Sequence, residues 1–177
     1  MRYLRGTKEQ GIILRPGAGK SLQVSVYIDA AYGVHSNGKS HTGSCVVVGE
    51  IWVVHCKSEK QKNFSKLSTE AELVALLDSY NQALHVRRFL EGQGYEMRPV
   101  KVYQDNLSCM ALVARGRSGA EKTKHFDIRY FWVKEKVDQG EVIIEHKGTT
   151  NMYANLLTKP LQGGQFEKER EMLTGWK

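Results

Sequence analysis

Four side chains that can bind a metal ion lie at the ends of predicted strands and helices. Asp29 and Asp105 each end a predicted strand, Glu72 lies at the start of a predicted helix, and Asn155 lies in the C-terminal segment. Carboxylates that converge on one point repel one another unless divalent cations neutralise them. The pattern therefore predicts a metal-dependent nuclease site, in which the uncharged amide of Asn155 could have switched the chemistry off.

Each carboxylate also has a simpler interpretation. Asp29 could start a turn, Asp105 with Asn106 could cap the following helix, and the segment Thr69–Glu72 fits a capping box in which Glu72 reaches back to the N-cap. These alternatives stay open for any one residue. The coincidence of all of them at element ends favours a shared site.

The charge of the chain favours a polyanionic partner. Its 177 residues are enough for a single domain with one sizeable core, and they include 26 Lys and Arg against 19 Asp and Glu, a net charge of +7. A basic balance on a folded domain favours nucleic acid. The alternative is a basic surface that is merely solvated.

The cysteine pattern excludes two kinds of small scaffold. Cys45, Cys56 and Cys109 are odd in number and lack CxxC spacing, so neither a complete disulfide framework nor a zinc motif fits. We expect reduced, mostly buried thiols in a reducing compartment. No apolar run reaches membrane-spanning length and the first residues lack the apolar core of a signal peptide, so we expect a soluble chain without a membrane partner.

The hydrophobic pattern predicts a mixed α/β sheet with helices on it. The predicted elements are a strand at 22–28, two strands within 42–57 joined by a turn at Gly49-Glu50, a helix at 69–91, a strand at 100–104, a short helix ending near 112–113, a helix ending before Gly140, a strand at 141–146 and helices from Asn151. Strands one to three form a meander. Strands one and four are each followed by a crossover, so they can lie parallel and adjacent at the centre of the sheet.

This topology explains how distant residues can meet. Adjacent strands lie about 4.8 Å apart, so carboxylates at the carboxyl ends of parallel neighbours come close together. Open α/β sheets commonly place ligands at that edge. The helix that carries Glu72 packs across the sheet, and a helix that carries Asn155 can close the fourth side of the site.

An ordered set of short motifs resembles one protein family. The motifs are Arg2–Thr7, Asp29–Tyr32, Gly38–Gly43, Ser58–Gln61, Leu67–Leu76, Asp105-Asn106, Lys122–Ile128 and Leu156–Leu161. Together they resemble the ribonuclease H domain of copia-type LTR retrotransposon polyproteins over nearly the whole chain. The resemblance implies a ribonuclease H-like α/β fold. Its five-stranded mixed sheet would have strands 1–3 antiparallel, strands 4 and 5 parallel to strand 1, and helices on both faces.

The resemblance also implies a domain organisation. Residues 1–20 are similar to the tail of a reverse transcriptase connection, and residues 21–177 would form the ribonuclease H domain. We therefore expect an upstream reverse transcriptase domain in the same polyprotein, with Met1 added to an excised segment. The expected location is the cytoplasm, within retrotransposon particles.

The activity that the resemblance implies is cleavage of the RNA strand of RNA/DNA hybrids during reverse transcription. Two Mg²⁺ ions, with Mn²⁺ as a substitute, would be held by Asp29, Glu72, Asp105 and residue 155, with Asp29 bridging both. The family has Asp where this chain has Asn155, so the ion that activates water should bind weakly. Either an experimenter made this isosteric change to trap uncut substrate, which we favour, or the element is naturally degenerate.

Contacts to the hybrid are expected to be mainly phosphate contacts, with strand choice from RNA 2′-hydroxyls. The candidates are Lys39, Ser40, Ser68, Asn106, Arg115, Arg117, Lys122, Lys124 and His125. The alternative function is a catalytically silent domain that only binds nucleic acid or braces the polymerase. A second alternative, an integrase core acting on double-stranded DNA, would place its Glu late in the final helix rather than at Glu72.

Overall fold

The structure is a computed structural model that describes residues 2–13, 22–49, 52–116 and 124–176, with the backbone alone for 124–127. Its elements are α1 (Arg2–Gly6), β1 (Val24–Ala31), β2 (His41–Val48), β3 (Trp52–Lys60), α2 (Ser68–Gly92), β4 (Val100–Gln104), α3 (Leu107–Arg115), α4 (Lys124–Asp138), β5 (Val142–His146) and α5 (Gly163–Thr174). Two 3-10 turns, Thr149–Asn151 and Asn155–Leu157, separate β5 from α5.

The five strands form one mixed sheet in the order β3-β2-β1-β4-β5. β1 pairs antiparallel with β2, and β2 pairs antiparallel with β3, so the predicted meander is confirmed. β4 pairs parallel with β1 and with β5. The carboxyl ends of β1, β4 and β5 therefore share one edge of the sheet, as the sequence predicted.

Side chains that alternate along β1 pack on opposite faces of the sheet, which is why helices cover both. Val24, Val26 and Ile28 are buried in a large core with α2, α3, α4 and their neighbours. Tyr27 belongs to a smaller core on the other face, where Met152 and the C-terminal segment pack. The predicted fold class is confirmed.

Two local predictions differ from the structure. β1 continues to Ala31, so Asp29 lies inside the strand opposite Gly43, because pairing with β2 extends past the alternating apolar run. Asn155 lies in a 3-10 turn and not in an α-helix. Its carbonyl accepts from the backbone N–H groups of Thr158 and Lys159, and Pro160, which lacks an N–H, cannot extend the turn.

Other expectations lie partly outside the described residues. Gly49 has a φ of 68°, a value that suits a tight turn, but the second residue of the predicted turn, Glu50, is not described. The same holds for the segment 14–21 before β1. Within the ranges that the structure does cover, no helix is both long enough and apolar enough to cross a membrane.

Candidate metal centre

Three separate elements bring carboxylates together at the carboxyl edge of the sheet. Asp29 comes from β1, Glu72 from the N-terminal part of α2, and Asp105 directly follows β4. One oxygen of each carboxylate lies within 4.8 Å of the other two. Asp29 and Glu72 are buried, and Asp105 is half-buried.

The protein around Glu72 penalises its charged form. Burial is the main cause and repulsion from Asp29 and Asp105 adds to it, so the pKa of Glu72 is raised to about 8. A hydrogen bond from Gln104 Nε2 to Glu72 Oε2, at 3.2 Å, opposes this only in part. Clustered acidic groups of this kind fit a divalent cation, which would restore the charged form.

Neither Glu72 nor Asp105 caps the helix that begins beside it. Glu70, and not Glu72, reaches back at the start of α2, where its Oε2 accepts from the backbone N–H of Lys66 at 2.6 Å. Asn106, and not Asp105, caps α3 by accepting from the N–H of Cys109 at 2.9 Å. The simpler interpretations of Glu72 and Asp105 are therefore not what the structure shows.

Asn155 is buried beside the cluster, and its side-chain amide forms hydrogen bonds with residues of its own segment. Its Nδ2 donates to the carbonyl of Thr149. Its Oδ1 accepts from Lys159 Nζ at 2.9 Å. The carbonyl oxygen that could bind a metal ion is thus occupied by an ammonium group.

Three side chains of the C-terminal segment contact the carboxylates. Lys159 Nζ lies 3.3 Å from Asp29 Oδ2, the hydroxyl of Thr158 donates to the same oxygen, and Thr149 Oγ1 donates to Asp105 Oδ2 at 3.1 Å. The sequence pattern did not predict these contacts. The available signal was the Leu156–Leu161 motif, which places Lys159 four residues after Asn155.

Gly43 lets this segment reach Asp29. It is the β2 residue opposite Asp29. A Cβ at this position would lie 2.6 Å from Thr158 Cγ2 and 2.8 Å from the carbonyl oxygen of Ala154. Only glycine therefore allows the 3-10 turn to rest directly on β2 beside the carboxylates.

The nucleic-acid candidates fall into two groups. Lys39, Ser40, Ser68 and Asn106 lie in the loop after β1 or at the starts of α2 and α3, which is the edge that holds the carboxylates. Ser40 is fully buried, and its hydroxyl accepts from the N–H of Gly33 at 3.2 Å, so it supports the loop from inside.

The second group lies around the end of α3 and the start of α4. Arg115 is exposed at the end of α3. Arg117 and Lys122 fall outside the described residues, as do the side chains of Lys124 and His125. The predicted basic loop therefore stays a prediction.

Comparisons with known proteins place this fold in a class. No family model matches the chain. The structure is similar to that of LC11-RNase H1, isolated from compost by a metagenomic approach. The match covers 76% of this chain and 91% of that protein, with a TM-score of 0.54 and 16% identity. The match to the same protein in complex with an RNA/DNA hybrid covers 73% of this chain and 88% of that protein, with a TM-score of 0.50 and 12% identity. The chain has the ribonuclease H fold.

The sequence relatives place the chain more narrowly. It is 30% identical over 174 residues to the retrovirus-related Pol polyprotein from transposon TNT 1-94 of Nicotiana tabacum, and the match covers 98% of this chain and 13% of that polyprotein. The chain is a ribonuclease H-like domain homologous to a segment of the Pol polyproteins of plant transposons. The predicted resemblance is thereby confirmed, although the chain spans only about an eighth of the relative.

Proposed function

We propose that this chain is the ribonuclease H domain of a copia-type LTR retrotransposon, and that its site hydrolyses the RNA strand of RNA/DNA hybrids during reverse transcription. The observation that carries the proposal is the convergence of Asp29, Glu72 and Asp105 within 4.8 Å at one edge of the sheet. A protein of the same fold has been crystallised with an RNA/DNA hybrid, which supports this class of substrate.

The chemistry needs divalent ions, and we propose two Mg²⁺, with Mn²⁺ as a substitute. Bound there, they would lower the pKa of the attacking water and stabilise the leaving 3′ oxygen. Asp29, Glu72 and Asp105 supply the anionic oxygens that hold them. The carboxylate of Asp29 also contacts Thr158 and Lys159, so it links the cluster to the C-terminal segment.

Asn155 would impair this site in two ways. Its amide brings no negative charge, and its oxygen already accepts from Lys159. An Asp at this position would instead add a charge that a divalent ion can use. We therefore propose weak binding of one ion and reduced hydrolysis, whether the Asn was engineered or arose naturally.

A second function is favoured by the same contact. With Lys159 holding Asn155 and lying 3.3 Å from Asp29, one carboxylate already has a cationic partner. The chain could then be a catalytically silent domain that binds nucleic acid without cutting it. Its net charge of +7 would serve that function equally well.

The setting that we propose is the polyprotein of the element. The relative in tobacco is a Pol polyprotein of which this chain matches a small part. An upstream reverse transcriptase domain is therefore the proposed partner, with residues 1–20 as the tail of its connection and residues 21–177 as the nuclease domain. Retrotransposon particles in the cytoplasm are the proposed location.

The test is cleavage of an end-labelled RNA/DNA hybrid in Mg²⁺ and in Mn²⁺ by this chain and by its Asn155→Asp variant. We expect the variant to cut the RNA strand at least about tenfold faster, since even groups that only orient the ligands of a metal typically change activity by that factor or more. Adding Asp105→Asn to the variant should abolish cutting. Hybrid binding without cutting by either form would instead establish the silent domain.

A further inference from the structure

Two cysteines remote in sequence from the metal ligands face each other across neighbouring strands. Cys45 of β2 and Cys56 of β3 are direct register partners, and their Sγ atoms lie 3.1 Å apart. A covalent bond requires the sulfurs to approach by about 1 Å more, which small side-chain rotations can supply. Cys45 is buried, whereas Cys56 is exposed.

The two thiols differ in reactivity. Their mutual hydrogen bond lowers the pKa of Cys56 and, together with burial, raises the pKa of Cys45. Because the thiolate is the nucleophilic form, the exposed Cys56 is the group that attacks an oxidant from solvent. Cys109 is buried and burial raises its pKa, so it serves as an inert internal reference.

We propose that Cys45 and Cys56 form a redox site that reacts with hydroperoxides and closes into a reversible cross-strand disulfide. The Cys56 thiolate attacks one peroxide oxygen, the O–O bond breaks, and the departing hydroxide takes a proton to form water. The sulfur of Cys45 then loses its proton and attacks the Cys56 sulfenic acid, whose hydroxyl leaves as a second water. The peroxide gains two electrons and the two thiols lose them.

The site lies under the segment that completes the metal centre. Cys45 Sγ is 3.9 Å from the carbonyl oxygen of Tyr153. Ser58, two residues after Cys56, donates to the carbonyl of Leu157 at 2.8 Å. The disulfide would therefore join the two strands on which the 3-10 turn at Asn155–Leu157 rests. The proposal does not depend on whether the chain cuts RNA.

Reversal needs only a thiol reductant. A small dithiol attacks the exposed sulfur of Cys56 in the bridge and restores both cysteines by exchange. The expected reduced thiols and the proposed disulfide are thus two states of the same pair. A reducing compartment would keep both thiols reduced until peroxide is present.

The test is oxidation of the folded chain with a small excess of hydrogen peroxide, followed by alkylation in denaturant and peptide mapping without reductant. We expect two of the three thiols to disappear, a linked Cys45–Cys56 peptide to form, and Cys109 to be alkylated. Dithiothreitol should restore all three. A chain that keeps three thiols, links only between molecules, or loses Cys109 as fast as Cys56 would overturn the proposal.

Two variants separate the roles of the cysteines. Cys45→Ser should stop Cys56 at a sulfenic acid that dimedone traps, whereas Cys56→Ser should leave Cys45 reduced. The second variant changes an exposed side chain, so it tests the proposal even if the buried substitution impairs folding. Oxidation of Cys45 at an unchanged rate in Cys56→Ser would contradict the assignment of Cys56 as the attacking thiol.

Discussion

Lys159 makes the contacts that bear most directly on cation binding at the carboxylate cluster. Its ammonium group lies near Asp29 and binds the oxygen of Asn155, so a metal ion entering the cluster must compete with it. The side chain is partly exposed, and ion pairs of this kind contribute at most about 1 kcal/mol. Lys159 is therefore a modest but direct competitor for the cation.

We predict that Lys159→Met strengthens Mn²⁺ binding by about two- to fivefold, the range that such an ion pair supports. The same variant should be less stable without metal, because the carboxylates lose a cationic partner. Calorimetric titration and urea unfolding measure the two effects. Lys134→Met, which removes the ion pair of Lys134 with Asp138 on α4, is the control, and equal effects in both variants would contradict the prediction.

Glu72 contributes a pH dependence to the stability of the protein when no metal is bound. Its pKa is raised from 4.5 to about 8, mainly by burial. Between these two pH values, Glu72 is protonated in the folded chain and ionised in the unfolded chain. The contribution of Glu72 to the free energy of unfolding is therefore fully present below its unfolded pKa of 4.5, and it is lost as the pH rises from 4.5 to about 8. The free energy of unfolding falls by at most about 1.4 kcal/mol per pH unit over this range.

We predict that Glu72→Gln removes this slope, since a neutral amide does not titrate. Urea unfolding in the presence of EDTA, at several values between about pH 5 and about pH 9, measures it. Glu167→Gln, an exposed change on α5, should keep the slope of the parent chain. A slope that survives in Glu72→Gln would show that another group is responsible.

Among the elements, the contact between β2 and the 3-10 turn at Asn155–Leu157 decides whether the site is complete. We predict that Gly43→Ala costs about 1–3 kcal/mol of stability, because its Cβ would overlap Thr158 and the Ala154 carbonyl. Metal binding should weaken as the turn shifts away from Asp29. Unfolding and Mn²⁺ titration measure both effects.

Gly148→Ala is the matched control for that prediction. Gly148 has an extended backbone, and a Cβ there meets nothing within 4 Å. This variant should therefore keep the stability and the metal affinity of the parent chain. If Gly43→Ala behaves like Gly148→Ala, the close approach of the turn is not required.

The elements also show what could be predicted from the sequence. Periodicity and crossover rules are local and general, so they predicted the meander of strands 1–3, the parallel pairing of strands 1 and 4 and the edge where Asp29 and Asp105 meet, whereas the direction of strand 5 came from the family resemblance. They gave Glu72 as the capping-box candidate, because Thr69–Glu72 has the spacing of that motif, but the helix begins at Ser68 and Glu70 reaches back instead. They also could not show Lys159 folding back on Asn155, because that contact depends on how the turn rests on Gly43.

At the scale of the whole molecule, the net charge of +7 predicts how salt would affect the binding of the proposed hybrid. Phosphate contacts release counterions, so the affinity for an RNA/DNA hybrid should fall steeply as salt rises. Arg115→Ala, at the exposed end of α3, should reduce the slope of log affinity against log salt by about 1. Fluorescence anisotropy at several salt concentrations measures the slope.

Arg88→Ala is the comparison for this surface. Arg88 is exposed in the C-terminal half of α2, whereas the metal centre lies at the N-terminal end of that helix. Its removal should leave the slope nearly unchanged. Equal losses in the two variants would indicate a general charge effect and no specific binding face around α3.

The measurement that tests the central claim most directly is calorimetric titration of Mn²⁺ into the folded chain and into Asp29→Asn. The claim is that the buried carboxylates form a divalent-metal site, so the parent chain should show saturable binding that Asp29→Asn abolishes. Asn155→Asp should bind more tightly than the parent chain. Equal binding by the parent chain and Asp29→Asn would contradict the account, whatever the nuclease assay shows.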